Sequence, residues 1–136
     1  MDFKSQVSIE YMLIIGFATL LSVPLLLIYY SYTSESSETV AISQALQIAR
    51  KVVDASESVY FLGKPSQTTL RISFPDMISS TNLSSKEVVF KIKTKNGITD
   101  IVQVSSVNMS GNLPKSQGIH TITVQAEDNY VQITSN

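Results

Sequence analysis

An uncharged run of twenty residues, from Tyr11 to Tyr30, constrains this chain more than any other feature. An α-helix needs about 20 predominantly apolar residues to cross the hydrocarbon core of a bilayer. The small, polar or helix-breaking residues Gly16, Thr19, Ser22 and Pro24 interrupt the run, and membrane helices tolerate all of these residue types. The run therefore predicts a transmembrane helix.

A cleaved secretory signal is the main alternative for such a segment. Its apolar stretch usually covers about 7–15 residues and closes with a small-residue cleavage site. This run is longer and ends among Tyr29, Tyr30 and Tyr32, which are typical of an aromatic belt at a membrane surface. Lys4 precedes the run, which favours a cytoplasmic N-terminus and an external remainder.

A carboxylate, Glu10, lies immediately before the apolar run. The simplest explanation is a residue at headgroup depth, stabilised by the positive end of the helix dipole, because an unpaired charge deeper in the membrane is costly. Glu10 is also part of a pattern, Gln6-x-Ser8-x-Glu10-Tyr11, that is joined directly to the apolar run. This pattern resembles the class III signal peptide of archaeal type IV pilins.

In that family a prepilin peptidase cuts ahead of the glutamine, and the apolar helix stays in the mature protein. Carried over to this chain, the cut falls between Ser5 and Gln6, and Glu10 becomes the fifth residue of the mature chain. The new α-amine of Gln6 meets Glu10 poorly within one chain, because the amine lies at a frayed helix end. Between chains, Glu10 of one subunit can neutralise the amine of another, which avoids two unpaired charges in an apolar environment.

The resemblance also implies the partners. The precursor would be inserted in the membrane, processed by the prepilin peptidase, and polymerised with copies of itself by an assembly ATPase and a membrane platform. The mature form would be part of an extracellular pilus filament, with a role in adhesion or surface attachment.

Residues 33–63 predict an amphipathic helix, because apolar residues recur at spacings of three and four. The predicted stripe comprises Ile42, Leu46, Ala49, Val53, Ser56 and Tyr60, widened by Ile48, Val52 and Val59. Charged residues such as Glu57 fall away from it and are expected in solvent. Gly63 is expected to end the helix in a left-handed conformation, and Pro65 cannot continue it.

Two positions within the helical region are expected to disturb it. The segment Ser34–Glu38 is either a break or the solvated start of a second helix, with Ser34 or Ser36 as the candidate N-cap. Pro24 is expected to kink or locally melt the span, with Thr19 and Ser22 satisfying the freed carbonyls.

From Gln67 onward the apolar period changes to two, which predicts β-strands. Alternating runs occur at Leu70–Phe74, Val88–Ile92, Ile98–Val104, Ile122–Ala126 and Val131–Ile133, with a weaker extended segment at Met77–Leu83. Lys95-Asn96-Gly97 predicts a hairpin, and Val107–Gly118 is predicted to be a loop. The strands should form one antiparallel sheet, largely joined by hairpins and covered by the amphipathic helix on its apolar face.

The expected fold class is therefore α+β and type IV pilin-like, with a long N-terminal helix packed on a small β head domain. Four parts are predicted. They are a cleaved leader at 1–5, a transmembrane and filament-core helix at 6–32, an amphipathic helix at 33–63 and an antiparallel β head domain at 64–136.

Composition gives no support to enzymatic chemistry. The chain has no cysteine and a single histidine, His120, so neither a thiol site nor a zinc site is expected. A net charge of −1 gives no electrostatic reason to expect nucleic acid as a partner. Glu127 and Asp128 adjoin a turn, where solvation is favoured over a weak cation contact. We expect no catalytic residue, metal or cofactor.

Two N-x-S/T sequons begin at Asn82 and Asn108, and they become candidate glycosylation sites if the head domain is external. The predicted function is a structural subunit of an archaeal type IV pilus-like filament. The alternatives are a minor or tip component of the same machinery, or an uncut single-span membrane protein with an external ligand-binding β domain. An archaellum subunit is disfavoured, because the pattern that begins at Gln6 differs from the start of those subunits.

Overall fold

One long helix and seven β-strands make up the part of the chain that the structure describes. A computed structural model describes residues 3–136, with side chains described from Ser8 onward. The elements are α1 (Phe3–Leu62), β1 (Gln67–Phe74), β2 (Ile78–Ser84), β3 (Glu87–Thr94), β4 (Gly97–Val104), β5 (Met109–Gly111), β6 (Gly118–Ala126) and β7 (Val131–Ser135). The predicted α+β class is confirmed, and the layout is consistent with a type IV pilin-like fold. Contacts divide the chain into two compact units, 1–37 and 38–136.

Helix α1 is unbroken where a break or an N-cap was one of the predictions. The segment Ser34–Glu38 is helical throughout, so neither Ser34 nor Ser36 caps a second helix. The hydroxyl of Ser37 instead donates to the carbonyl of Thr33 at 3.0 Å, one turn back. A serine can make this bond without leaving the helical conformation, which explains why a serine-rich segment does not end the helix.

Pro24 also lies inside the helix, so the predicted local melting does not occur. Proline has no N–H and leaves the carbonyl four residues back without its usual partner. We expected the two nearby hydroxyls to donate to that carbonyl, but they donate to other carbonyls. Thr19 Oγ1 donates to the Ile15 carbonyl at 2.8 Å, and Ser22 Oγ donates to the Ala18 carbonyl at 2.7 Å.

The helix ends as the sequence predicts. Gly63 has a φ of +78°, a left-handed conformation that glycine adopts without the strain of a side chain. Its N–H donates to the carbonyls of Val59 and Tyr60 at 3.2 and 3.0 Å. These bonds satisfy carbonyl groups of the last turn that have no partner within the helix.

The strands form two sheets and not the single sheet that was expected. Sheet A has the order β1-β6-β7-β5, and sheet B has the order β2-β3-β4. The hairpin predicted at Lys95-Asn96-Gly97 joins β3 to β4, with Thr94 opposite Gly97. The other predicted strands are present, but β1 pairs with the distant β6 and not with its neighbour β2.

The predicted loop Val107–Gly118 contains a short strand, β5. This strand pairs with β7 in parallel, so the head domain is not purely antiparallel. Gly111 makes the pairing possible, because it has a φ of +132° and any Cβ there would collide with the Ile133 carbonyl.

A single hydrophobic core lies between the two sheets and the second half of helix α1. The sheets meet at Phe74 and Phe90, which are fully buried and pack edge to face with ring centroids 6.1 Å apart. Edge-to-face pairing places the positive ring edge against the negative ring face of the partner. The alternation of β1 and β3 is confirmed, since Ile72, Phe74, Val88, Phe90 and Ile92 are all buried.

The buried face of helix α1 differs in its centre from the predicted stripe. Small residues Ala41, Ala45 and Ala49 lie in the core, whereas the bulkier Ile42 and Leu46 are only half-buried. The remaining buried positions are Ile48, Val52, Val53, Ser56 and Val59, and Tyr60 is half-buried at the edge. The one-sided burial predicted for this helix is thus confirmed, but the centre of the buried face lies nearer the alanines than predicted.

Two carboxylates attach helix α1 to the segments on either side of β4. Glu38 Oε1 accepts a hydrogen bond from Lys95 N at 2.8 Å, in the β3–β4 turn. Glu57 Oε1 accepts bonds from both the N–H and the hydroxyl of Ser106, each at 2.8 Å, just after β4. The two carboxylates are roughly 28 Å apart along a helix, which is close to the ~26 Å length of an eight-residue strand.

Candidate functional site

The first part of helix α1 is the candidate functional site, because it presents apolar side chains to the outside on every side. Seventeen large hydrophobic residues between Ile9 and Tyr32 are 49–75% exposed. The four consecutive residues 12–15 alone cover a full helical turn, since successive side chains are about 100° apart. A helix of this kind needs an apolar environment around its whole circumference.

Burial of these side chains would provide a large driving force. Fully burying one large apolar side chain contributes about 1.5–3 kcal/mol, so a set of this size provides on the order of tens of kcal/mol. Helix α1 is also long and apolar enough to cross a membrane, by length and composition. It lies near the N-terminus, so the first unit is a candidate membrane span.

The residues of the pilin-like pattern lie at the start of this apolar surface. Ser8, Glu10 and Tyr11 are exposed, and all three are helical. Ser5 and Gln6 belong to the same helix by their backbone, but their side chains lie outside the described part of the structure. The proposed cut between them is therefore untested, and the role of Glu10 as the partner of a new α-amine stays a prediction.

At the other end of the apolar surface, Tyr29, Tyr30 and Tyr32 are all exposed. Tyr29 and Tyr30 contact each other edge to face, with ring centroids 6.1 Å apart. Each ring presents an apolar body and a polar hydroxyl, a combination that suits a membrane–water interface. Thr33 Oγ1 then donates back to the Tyr29 carbonyl at 3.0 Å, where the chain becomes more polar.

The second part of helix α1 has the opposite character. Its apolar residues face the core of the head domain, and the opposite side carries charged and polar residues. A single helix thus changes from apolar all round to apolar on one side. The first part needs lipid or other helices, whereas the second already has its partner in the same chain.

Among the described residues, no cluster of three or more His, Asp or Glu side chains could hold a metal ion. Glu127 and Asp128, where a weak cation contact was considered, instead lie 3.1 and 3.7 Å from the ammonium group of Lys64. The hydrogen bond with Glu127 and the nearby Asp128 charge raise the pKa of Lys64.

His120 lies at the start of β6, as predicted. Its ring packs edge to face on Phe74 with centroids 5.6 Å apart, and its Nε2 lies 2.9 Å from the Ser116 carbonyl oxygen. The imidazole therefore has a packing partner and a backbone hydrogen-bond partner. The Ser116 hydroxyl lies 3.2 Å from the same nitrogen, so the carbonyl and the hydroxyl of one residue both face the ring.

Sequence patterning missed the role of Glu57, which was expected in solvent because it lies off the apolar stripe. The backbone N–H of Ser106 lowers the pKa of the Glu57 carboxyl most, and the Ser106 hydroxyl adds to that effect. Glu57 lies well beyond the apolar run, within the head unit. No local signal could have identified it, because its partner is 49 residues away in sequence.

Both sequons present their asparagines to solvent. Asn82 lies in the edge strand β2, and Asn108 lies immediately before β5. The Asn108 carbonyl accepts a hydrogen bond from Val131 N at 2.8 Å, whereas its side chain remains exposed.

Comparison of the chain with family models, curated proteins and solved structures returned no match. The functional proposal therefore rests on the sequence pattern and on the physical chemistry of the fold.

Proposed function

We propose that this protein is a structural subunit of an archaeal type IV pilus-like surface filament. The observation that carries the proposal is the exposed apolar surface of helix α1 between Ile9 and Tyr32, which begins next to an exposed carboxylate, Glu10. Lipid covers this apolar surface before assembly, and the corresponding helices of neighbouring subunits cover it afterwards. The head domain then lies outside, where it mediates adhesion or surface attachment.

Glu10 supports assembly in preference to simple anchoring. In a simple anchor the carboxylate would stay at headgroup depth, where the helix dipole stabilises it, because burying that charge without a partner is costly. In a filament, Glu10 neutralises the α-amine that cleavage between Ser5 and Gln6 creates on a neighbouring subunit. That pairing also favours one axial register between subunits over others.

The resemblance to archaeal type IV pilins supplies the remaining parts of the proposal. The precursor enters the membrane with its N-terminus in the cytoplasm, a prepilin peptidase removes residues 1–5, and an assembly ATPase with its membrane platform drives polymerisation. Neither nucleic acid nor a cofactor takes part, and the protein is not an enzyme.

The first experiment is mass analysis of the N-terminus of the protein taken from cell membranes and from sheared surface material. A mature chain that begins at Gln6 is the expected result. A chain that still begins at Met1 would contradict the proposal and favour the uncut membrane protein with an external ligand-binding domain.

The second experiment compares Glu10→Gln, which removes the charge, with Glu10→Asp, which keeps it. Both changes alter the size of the side chain little. The Glu10→Gln subunit should be processed and inserted normally but should be missing from sheared filaments, whereas Glu10→Asp should assemble at least in part. Assembly of Glu10→Gln at the wild-type level would refute the pairing role. Filaments that contain the protein only in trace amounts would indicate a minor or tip component.

A further inference from the structure

The two sheets of the head domain differ in the surfaces that face away from the core. The outward residues of sheet A are mostly polar: Gln67, Thr69, Arg71, Ser73, Thr121, Thr123, Gln125, Gln132 and Thr134, with Ile119 as the exception. Sheet B exposes Ile98, Val102 and Val104 on its edge strand β4, at 63, 49 and 66%, on a face that also carries the charged residues Glu87, Lys91, Lys93 and Asp100. The ion pair between Lys91 and Asp100, 3.1 Å long, separates Ile98 from the valines, so the contiguous apolar patch consists of Val89, Val102 and Val104.

The strand register places a sequon at the other edge of this same face. Asn82 lies opposite Val89, and Val89 lies opposite Val102. Directly opposed residues of antiparallel strands have side chains on the same face, so these three form one row across sheet B. Adjacent strands are ~4.8 Å apart, which puts Asn82 roughly 10 Å from Val102.

The second required residue of the sequon lies on the same face. Ser84 follows Asn82 by two positions in a strand, whereas Leu83 between them points the other way and packs against the core. Asn82 is exposed and Ser84 is half-buried on this outward face, although β5 and the segment after it pack beside the edge strand β2. The asparagine and the serine are therefore presented together to an approaching transferase.

We propose that Asn82 is N-glycosylated and that its glycan covers the apolar patch of Val89, Val102 and Val104 on the outer face of sheet B. The apolar C–H faces of the first sugars would lie over Val89 and Val102, and their hydroxyl groups would face water. The proposal rests on the external head domain of the proposed function, because glycan donors for such sites act outside the membrane. The second sequon, at Asn108, serves as the control, because the outward face of sheet A is mostly polar and offers a glycan little apolar surface to cover.

The modification is a group transfer with a lipid phosphate-linked oligosaccharide as the co-reactant. Asn82 Nδ2 attacks C1 of the first sugar, and the bond between C1 and the phosphate oxygen breaks. The amide nitrogen loses one proton to the base of the transferase, and the lipid phosphate leaves with the electron pair of the broken bond. The carbonyl of Asn82 is unchanged, and nothing is oxidised or reduced.

Occupancy is tested by glycopeptide mass analysis of the full-length protein from its native cells. The peptide containing Asn82 should carry the added mass of a chain of sugars, and this addition should disappear in Asn82→Gln and, independently, in Ser84→Ala. An unmodified Asn82 peptide would overturn the proposal. The N-terminal mass of the same sample reports separately on processing, so failure here is distinguishable from failure of the proposed function.

Coverage is tested by thiol labelling, because the chain has no native cysteine and a single introduced one is unambiguous. A Val102→Cys protein should react with a bulky maleimide severalfold more slowly when Asn82 is intact than in the Asn82→Gln background. Asn108→Gln should leave the rate unchanged. Equal rates with and without the Asn82 glycan would refute coverage. Labelling that becomes slow only on filament assembly, with Asn82 intact and with Asn82→Gln alike, would show that a second copy of the chain covers the face. That result would also refute coverage by the glycan.

Discussion

The contact between Glu57 and Ser106 offers a direct measure of how helix α1 holds sheet B. The change Glu57→Gln keeps the shape of the side chain and removes its charge. In the wild type, one carboxylate oxygen accepts two bonds of 2.8 Å from Ser106, and both are near-ideal in length. Glutamine can accept the same bonds only as a neutral and weaker acceptor.

The size of the effect follows from the partly exposed position of the carboxylate. A hydrogen bond to a charged group contributes about 1.5–3 kcal/mol in mutational series. Solvent screening reduces this for a side chain at the surface, so we expect a loss of about 1 kcal/mol for the pair of bonds. In a unit of this size such a loss lowers Tm by about 4–8 °C.

The pH dependence of the stability is an independent test of whether the charged form of Glu57 stabilises the fold. The folded state lowers the pKa of Glu57 below its usual value of 4.5. The bonds therefore stabilise the fold at pH values above 4.5, and this contribution is lost as the pH falls through the lowered folded-state pKa. The Tm difference between wild type and Glu57→Gln should be constant near neutral pH and should shrink in acid.

The assay is thermal unfolding of the full-length protein in detergent, followed by circular dichroism, together with amide exchange at Ser106. Asp54→Asn is the matched control, because Asp54 is an exposed carboxylate almost one turn earlier on the same helix. The reasoning is refuted if Glu57→Gln and Asp54→Asn have the same Tm, or if the Ser106 amide exchanges equally fast in wild type and variant.

Three further changes test other parts of the head domain. Phe90→Ala removes a fully buried ring that joins the two sheets, and denaturant unfolding should show a loss of about 3–5 kcal/mol; a loss below 1 kcal/mol would mean that the sheets do not depend on this contact. Gly111→Ala should detach β5 from β7 and accelerate amide exchange in β7 severalfold, because the new Cβ collides with the Ile133 carbonyl. Gly118→Ala is the control, since Gly118 has a similar φ but open space around it, and this variant should leave β7 protected. Equal exchange in the two variants would contradict this reasoning. The raised pKa of Lys64 stabilises the fold below the usual lysine value of 10.5, and this contribution should be lost as the pH rises through the folded-state pKa; a Lys64→Gln protein with the same alkaline loss of stability would show that its ion pair is not the cause.

The division of helix α1 into two characters links the fold to the proposed function. Its second part buries one face within the head domain and needs no further partner. Its first part has no partner among the described residues of its own chain, and any partner must be lipid or another subunit. A single chain can therefore show that the first part needs an apolar environment, whereas the proposed pairing of Glu10 with a neighbouring amine can be tested only with a second chain.

Local features of the sequence were sufficient to predict most of the elements. Twenty uncharged residues predict an apolar helix because the backbone is fully satisfied only in that form within lipid. The left-handed Gly63 and the turn at Asn96-Gly97 follow from the conformations that glycine allows. Alternation of apolar residues identified β1, β3 and β6, because side chains in a strand point to opposite faces in turn.

Other features depend on contacts between residues distant in sequence, and only the tertiary structure decided them. The choice of β6 as the partner of β1, the parallel pairing of β5 and the division into two sheets follow from which surfaces close one core, and local patterns do not encode that choice. Ala45 lies at the centre of the helix face because the sheets leave room there for a small side chain, although Ile42 and Leu46 are more hydrophobic. Glu57 is held by a backbone N–H, a donor that every residue except proline possesses, so its role became visible only when the chain folded.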